Sequence, residues 1–307
     1  MRHLVVFVAV VSVLMISASA CSGAPATVAP PASAPATAAP IPTATTAVET
    51  VEKQFEDLNP SNFTRPTLID NKWFPLRPGM QSVFEGYTDE GGQATHHRVV
   101  HATTDLTKVI GGVRTVVVWV VDYSNDQLLE KEICFYAQDN DGTVWYLGEH
   151  PEVYEGEQFV EAPTWIHGIA GALAGIKMKA QPRLGMPSYS SGWGPGVGFT
   201  DRAQVSQMGQ WISVPFGNYG DTLVIAESSQ SEPNAFQLKS FARGVGTVRI
   251  GWSGADATHE TLELVDRVEL SPEALAQIRA AALELEKHAY EISKDVYGLT
   301  PPAESAK

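Results

Sequence analysis

The chain has 307 residues, of which 44% are apolar and 18% charged, with 7 Trp, 9 Tyr and 11 Phe; a supply of that size excludes whole-chain disorder and allows one large domain or two small ones. Lys+Arg is 21 against Asp+Glu 35, a formal charge of −14, which excludes the broad basic surface that nucleic acid needs. Two cysteines rule out a disulfide-dense scaffold or a cysteine-rich zinc module, and 20 Pro with 26 Gly argue against an all-helical bundle.

Residues 1–20 read as a secretion signal: Arg2 supplies the positive charge, residues 4–16 are apolar except for Ser12, and Ser17-Ala18-Ser19-Ala20 precede Cys21. That order resembles a bacterial lipoprotein signal, which implies acylation of Cys21 and an extracytoplasmic domain held at the cell membrane by its N-terminal lipid. The apolar run is shorter than the ~20 residues that span a bilayer, so a permanent transmembrane helix is not expected. Each buried acyl methylene contributes roughly 0.8 kcal/mol, so two or three chains make a lasting anchor. Using Cys21 this way leaves Cys134 alone, between Ile133 and Phe135, as a buried and inert thiol.

Residues 21–58 form the lipidated cysteine and an Ala/Pro/Thr-rich tether. Prolines 25, 30, 31, 35, 40 and 42 block helix and sheet, and residues 22–50 contain no aromatic side chain to offset ordering entropy. An acidic, helix-prone lead-in is expected at 51–58, and the globular part is expected from about residue 66.

The domain at 66–270 reads strand, turn, strand. Strand patterns at 81–87 and 94–103 flank Asp89-Glu90-Gly91-Gly92. Those at 113–123 and 128–137 flank Ser124-Asn125-Asp126, and Asp139-Asn140-Asp141-Gly142 leads into Val144-Trp145-Tyr146. Further patterns at 211–214, 222–228, 236–242, 245–250 and 261–270 complete the series. Evenly spaced strands without intervening helices predict a mainly β fold, an antiparallel β-barrel or bent half-barrel with a C-terminal α-helix. The helix is expected at 271–297. Ser271 is its N-cap, Pro272 its first residue, and Leu275, Ile278, Ala282, Leu285, Ala289, Ile292 and Val296 form one apolar stripe. The expectation is that it covers an open edge or mouth of the barrel; dimerisation through the stripe is the alternative, and the sequence does not set the oligomeric state. Gly298 and Pro301-Pro302 end it, leaving 298–307 as a disordered tail.

Several phrases occur together: Asp70-Asn71-Lys72-Trp73-Phe74-Pro75-Leu76-Arg77-Pro78-Gly79, Tyr136-Ala137-Gln138-Asp139, Val144 to Glu149, Val214 to Tyr219, and Gly244-Val245-Gly246. Over residues 66–250 this resembles an uncharacterised family of secreted bacterial proteins, many of them lipoproteins, with antiparallel β-barrel-like domains. The C-terminal helix is similar to that of actinobacterial members. The resemblance implies fold and address and carries over no catalytic residue; the turn at Gly185-Met186-Pro187-Ser188 departs from the Gly-Asp usual there.

Chemistry is sparser. His97, Val99 and His101 share one face of a strand and His96 takes the other. His97 and His101 lie about 13 Å apart along the strand, so a metal site on them needs a bulge or a distant ligand such as His150, His167 or His259. The alternative is a set of solvated strand histidines. Asp139-Asn140-Asp141-Gly142 lacks the calcium-loop acids and reads as a hairpin turn. The glycine-rich run at 168–175 lacks the Lys-Ser/Thr of a phosphate loop, and no Gly-x-Ser-x-Gly or His-Glu-x-x-His occurs. No cofactor is expected. Trp145, Tyr146, Trp165, Trp193 and Trp211 are candidates to line a ligand cavity, with core packing as the alternative. The function expected is binding of a small apolar or amphipathic ligand. The competing readings are an envelope enzyme using His/carboxylate chemistry, which needs two or more histidines to converge, and an envelope protein-interaction module acting through the helix.

Overall fold

In the computed structural model, which describes residues 52–306, the alternating apolar pattern becomes a run of antiparallel strands. The signal segment, Cys21 and the tether to residue 51 lie outside the described residues. The first five strands are β1 (Met80–Glu90), β2 (Gln93–Ile110), β3 (Val113–Ser124), β4 (Gln127–Gln138) and β5 (Val144–Glu155). Three of their hairpins turn on residue pairs at positive φ: Gly91-Gly92 (65° and 88°), Gly111-Gly112 (56° and 81°) and Asn125-Asp126 (48° and 62°). Glycine and asparagine or aspartate tolerate that region, and its twist matches the flanking strands. The fourth turn is fixed by Asp139, whose carboxylate accepts the backbone N–H of Asp141 (3.0 Å) and of Thr143 (2.8 Å) and the Trp145 indole N–H (2.9 Å).

Short pieces follow: β6 (Gln158–Glu161), β7 (Trp165–Ile166), β8 (Leu173–Met178), β9 (Tyr189–Ser190) and β10 (Gly192–Trp193). Then come the long strands β11 (Asp201–Val214), β12 (Gly217–Ser229), β13 (Ala235–Ala242), β14 (Gly246–Gly254) and β15 (Thr261–Glu269). The hydrogen-bonded order is β10-β8-β5-β4-β3-β2-β1-β15-β14-β13-β12-β11-β9. Its two terminal strands, β10 and β9, are separated in the chain by Ser191 alone. The sheet is therefore strongly curved, and its two ends meet at residues 189–193 through the chain rather than through a continuous ladder. Gly175 sits at this meeting place: a Cβ there would lie 2.2 Å from the Gly192 nitrogen, so only glycine permits the approach.

The Asp70–Gly79 phrase crosses the hollow of the curve. Phe74 packs on Tyr136 of β4 (5.5 Å between centroids) and on Phe241 of β13 (6.4 Å), strands far apart in the order. Asn71 secures the crossing, its amide donating to the carbonyls of Gly142 (2.8 Å) and Lys179 (3.2 Å) while its oxygen accepts the Trp73 N–H (2.9 Å). Residues N-terminal to Pro66 also pack on the domain. The lead-in is irregular rather than helical: Arg202 binds the carbonyls of Lys53 and Gln54 (3.1 Å each), which a helix would use internally.

Helix α1 (Pro272–Ile292) is capped by Ser271, whose hydroxyl accepts the Ala274 N–H at 3.2 Å. It lies against β2 and β4, on the outer face. Phe135 of β4, which alternates with the inward Cys134 and Tyr136, meets Tyr297 just beyond the helix. The expectation that the helix covers an edge or mouth is thus corrected; its apolar stripe answers an apolar outer face on β2–β5. The expectation of a disordered tail also differs from what is seen. Glu286 accepts the Ala303 N–H (3.0 Å) and the Tyr297 hydroxyl (3.0 Å), and β16 (Glu304–Ser305) pairs with β2. The Lys108 ammonium, fully buried, ties the three parts together through Glu286 (2.7 Å), the Tyr290 hydroxyl (3.1 Å) and the Pro301 carbonyl (2.6 Å). No helix among the described residues is long and apolar enough to cross a membrane.

Removing one partner of a buried ion pair leaves the other charge uncompensated. Lys108→Ala is therefore expected to cost about 3–5 kcal/mol, read as a lower denaturation midpoint with earlier loss of helical signal in circular dichroism.

Candidate functional site

Directly opposed residues of an antiparallel pair share a face, so the register identifies what the curve encloses. From β2 across β3 to β4, His101 pairs with Val120 and Val120 with Glu132; Thr103 pairs with Val118 and Val118 with Cys134. Tyr136 pairs with Tyr146 of β5, and Glu149 with Trp165 of β7. At the other end, Tyr189 pairs with Ala203, Ala203 with Glu227 and Glu227 with Gln237; Ile225 pairs with Lys239 and Lys239 with Ile250. The enclosed face thus mixes valine, isoleucine and phenylalanine with acids, lysines, hydroxyls and histidines.

The charges on it pair across the hollow. Glu227 of β12 receives Lys239 of β13 at 2.5 Å and Lys177 of β8 at 3.3 Å, and all three are largely buried. Burial disfavours the Glu227 carboxylate, yet the two ammonium groups outweigh it and hold its pKa far below the ordinary range. The lysines divide: burial prevails at Lys177, whose pKa falls, and Glu227 prevails at Lys239, whose pKa rises.

On β2 His97 has two acidic partners. Its Nε2 lies 2.5 Å from Asp122, and its Nδ1 lies 3.0 Å from Glu260, an ion-pair distance without hydrogen-bond alignment. Burial opposes the charge, but the two carboxylates raise the imidazole pKa to about 10. Glu260 is held below its ordinary range, against its burial, mainly by His97. Two pleats along β2 His101 is the reverse case, driven by desolvation to about 3 and therefore neutral.

A third group lies at β4 and β5. Glu132, Cys134 and Glu149 place one donor atom each within 4.8 Å of one another. The Tyr146 hydroxyl stands among them, 3.4 Å from Glu132 and 3.5 Å from Cys134, with its short hydrogen bond to Glu149. Burial and the neighbouring acids push the Cys134 thiol well above its ordinary pKa, which makes it a poor nucleophile.

The five aromatics singled out from the sequence do not form one wall. Tyr146 and Trp165 meet on the enclosed side, 5.2 Å apart edge to face, and Trp165 stacks on Phe199. Trp145 pairs with Ala137 on the opposite face and donates to Asp139. Trp193 packs against Phe55. Trp211 is 72% exposed on the β11–β12 hairpin. His97 and His101 share the enclosed face, as their spacing on the strand requires, but have different neighbours. His150 binds Thr164 (2.6 Å), His167 accepts the Ala174 N–H (3.0 Å), and His259 stacks on Trp252. Glu152 of β5 does join two histidines, His150 (3.4 Å) and His288 of α1 (2.6 Å), beside a cleft of about 350 Å³ on the outer face. A second cleft, of about 440 Å³, lies along the Asp70–Trp73 phrase.

The residues that sequence reasoning passed over are Lys177, Glu227, Lys239 and Glu132. Their signal is a charge set in an apolar alternation: Leu223, Ile225, Glu227 on one strand, and Lys239, Phe241 on the next.

No protein-family model matches the chain, and no curated protein matches it in sequence. Among solved structures it is similar to one named as an exported protein with a YmcC-like fold from Bacteroides fragilis, at 11% identity and a TM-score of 0.39 over 64% of this chain and 99% of the other. It is also similar to one named as a lipoprotein from Parabacteroides distasonis, at 12% identity and a TM-score of 0.35 over 65% of this chain and 100% of the other.

The His97 shift sets a pH dependence. Its folded pKa is raised, from 6.5 to about 10, so the stability it contributes is complete below pH 6.5 and is lost as pH rises through 10. Calorimetry should show Tm falling across that window, and His97→Gln should make the fall shallower than in the unsubstituted chain.

Proposed function

We propose that this chain is an extracytoplasmic lipoprotein, anchored through acylated Cys21, whose curved sheet binds a small amphipathic ligand on its enclosed face. The supporting observation is a set of buried polar atoms without a hydrogen-bond partner. They are the Tyr189 hydroxyl, the Ser191 hydroxyl and the Trp165 indole N–H, on residues no more than 5% exposed. A buried donor left unmatched costs about 1–3 kcal/mol, and a ligand bearing acceptor groups recovers it. Apolar walls from Val99, Val118, Ile225 and Leu264 suit a hydrocarbon portion, and the Lys177–Glu227–Lys239 group suits a polar head. A wholly apolar ligand fits this lining less well, because it would leave the charges and donors without compensation.

The address is supported by the sequence order alone, a charged start, an apolar run and small residues before Cys21. Metabolic labelling with a palmitate analogue is expected to mark the protein in a bacterial host and to be abolished by Cys21→Ala.

For the ligand, the full chain carrying Cys21→Ser is to be isolated without detergent and examined by native mass spectrometry and organic extraction. A bound amphipathic molecule is expected, with occupancy reduced severalfold by Tyr189→Phe with Ser191→Ala. Bare protein throughout, in a chain that is folded by circular dichroism, overturns the ligand reading and leaves the anchor standing.

A further inference from the structure

Residues 203–220 carry no charged side chain, in a chain of net charge −14. They make up most of the β11–β12 hairpin, whose far half leaves the sheet. β12 pairs with β13 only from Leu223 to Glu227, so the stretch before Leu223 pairs with β11 alone. The ladder changes register at Met208/Gln210 and again at Gln210/Ile212, and Gly209 and Asp221 take positive φ, 74° and 51°. Irregularities of this kind bend a strand. The bent tip is held against neighbouring strands. The Phe216 N–H donates to the Leu264 carbonyl of β15 (3.0 Å), and the Arg249 guanidinium of β14 donates to the Ser213 carbonyl (2.6 Å). Ile212 and Val214 are buried, whereas Trp211 (72%) and Phe216 (41%) are exposed. A Cβ on Gly220 would meet the Trp211 ring at 3.2 Å, so the indole rests on the backbone of the opposite strand.

We propose that this hairpin tip, through Trp211 and Phe216, rests on the interfacial layer of a phospholipid bilayer. The inference rests on the lipid anchor of the proposed function and is independent of the ligand. Tryptophan favours the headgroup layer, where its ring meets hydrocarbon and its N–H meets water. A charge carried into lipid is costly, and the tip has none. The acidic chain is repelled by anionic lipid, which makes an uncharged projection the part that can approach. The reach suffices. Glu52, the first described residue, is bound to Arg202 (3.1 Å) and to Ser188 (2.6 Å), near the start of β11. From Arg202 to Trp211 the strand advances about 30 Å, while residues 22–51 span up to about 100 Å when extended. Two aromatic side chains cover a few hundred Å² at most, below the roughly 1,000 Å² that a stable dimer needs, so the occupant is lipid and not a second copy.

The test places the mature chain, acylated at Cys21, in phosphatidylcholine vesicles. Cys21 is then blocked and Cys134 is buried, so Asn218→Cys supplies one accessible thiol at the tip for a polarity-sensitive fluorophore. Gln230→Cys, just past the other end of β12, supplies an exposed control. Emission from the tip label is expected to shift to the blue on insertion. Brominated lipid should quench it severalfold more than the control label, and salt should leave the difference unchanged. Trp211→Ser with Phe216→Ser should lower the shifted fraction by roughly tenfold or more, the effect of withdrawing large apolar side chains from lipid. Both side chains are exposed, so circular dichroism should not change. Trp211→Glu should act in the same direction. Flotation with the vesicles reports the anchor separately. A chain that floats without a shift at the tip overturns the contact and leaves the anchor standing, and a chain that does not float overturns both. A shift that fades as the protein is diluted among lipid marks a contact between copies and also overturns the proposal.

Discussion

The curvature of one antiparallel sheet governs everything else in this protein. An antiparallel sheet commonly packs one face and leaves the other to solvent. Here the first and last strands of the order are neighbours along the chain, with Ser191 between them, so one face is enclosed and the other is left outside. Each strand then sends alternate residues to two different environments. Charges sent inward lose water, and they persist only where the curve brings a counter-charge across from another strand. Lys177, Glu227 and Lys239 meet this condition from three strands, and His97, Asp122 and Glu260 from three separate segments.

The outer face obeys a different economy of contacts. On β2–β5 it is apolar enough to need a cover, and the amphipathic helix with the segment after it supplies one. Lys108 is the exception that organises this layer. A lysine buried to 0% exposure is costly unless it is fully partnered, and its partners are Glu286 and Tyr290 of the helix and the Pro301 carbonyl of the chain beyond. The C-terminal segment is ordered for that reason rather than by any local propensity, since Pro301-Pro302 favour neither helix nor sheet.

The legibility of the fold follows from how local its signals are. The turns at Gly91-Gly92 and Asn125-Asp126 announce themselves by residue type, because few residues tolerate positive φ. The helix is legible from Ser271, Pro272 and its stripe. The place of the helix is not, because an apolar stripe says that a surface must be covered and not which one. The histidines show the same limit. Their shared face on β2 follows from strand geometry, but one gains two carboxylates from distant segments and the other gains none. The candidate site was legible only as an anomaly: charges at Glu132, Glu227 and Lys239 where the alternation calls for apolar residues.

What the sequence determined by itself is therefore the run of paired strands, the C-terminal helix and the single thiol among the described residues. These rest on interactions between residues a few positions apart, which spacing and residue type encode directly. The tertiary structure alone decided which face of the sheet is enclosed, that Trp145 and Trp211 are not part of it, and that Glu132, Cys134 and Glu149 converge while His97 pairs elsewhere. Those outcomes depend on the angle through which the sheet bends, and that angle is summed over many strands, so no local stretch of the chain carries it.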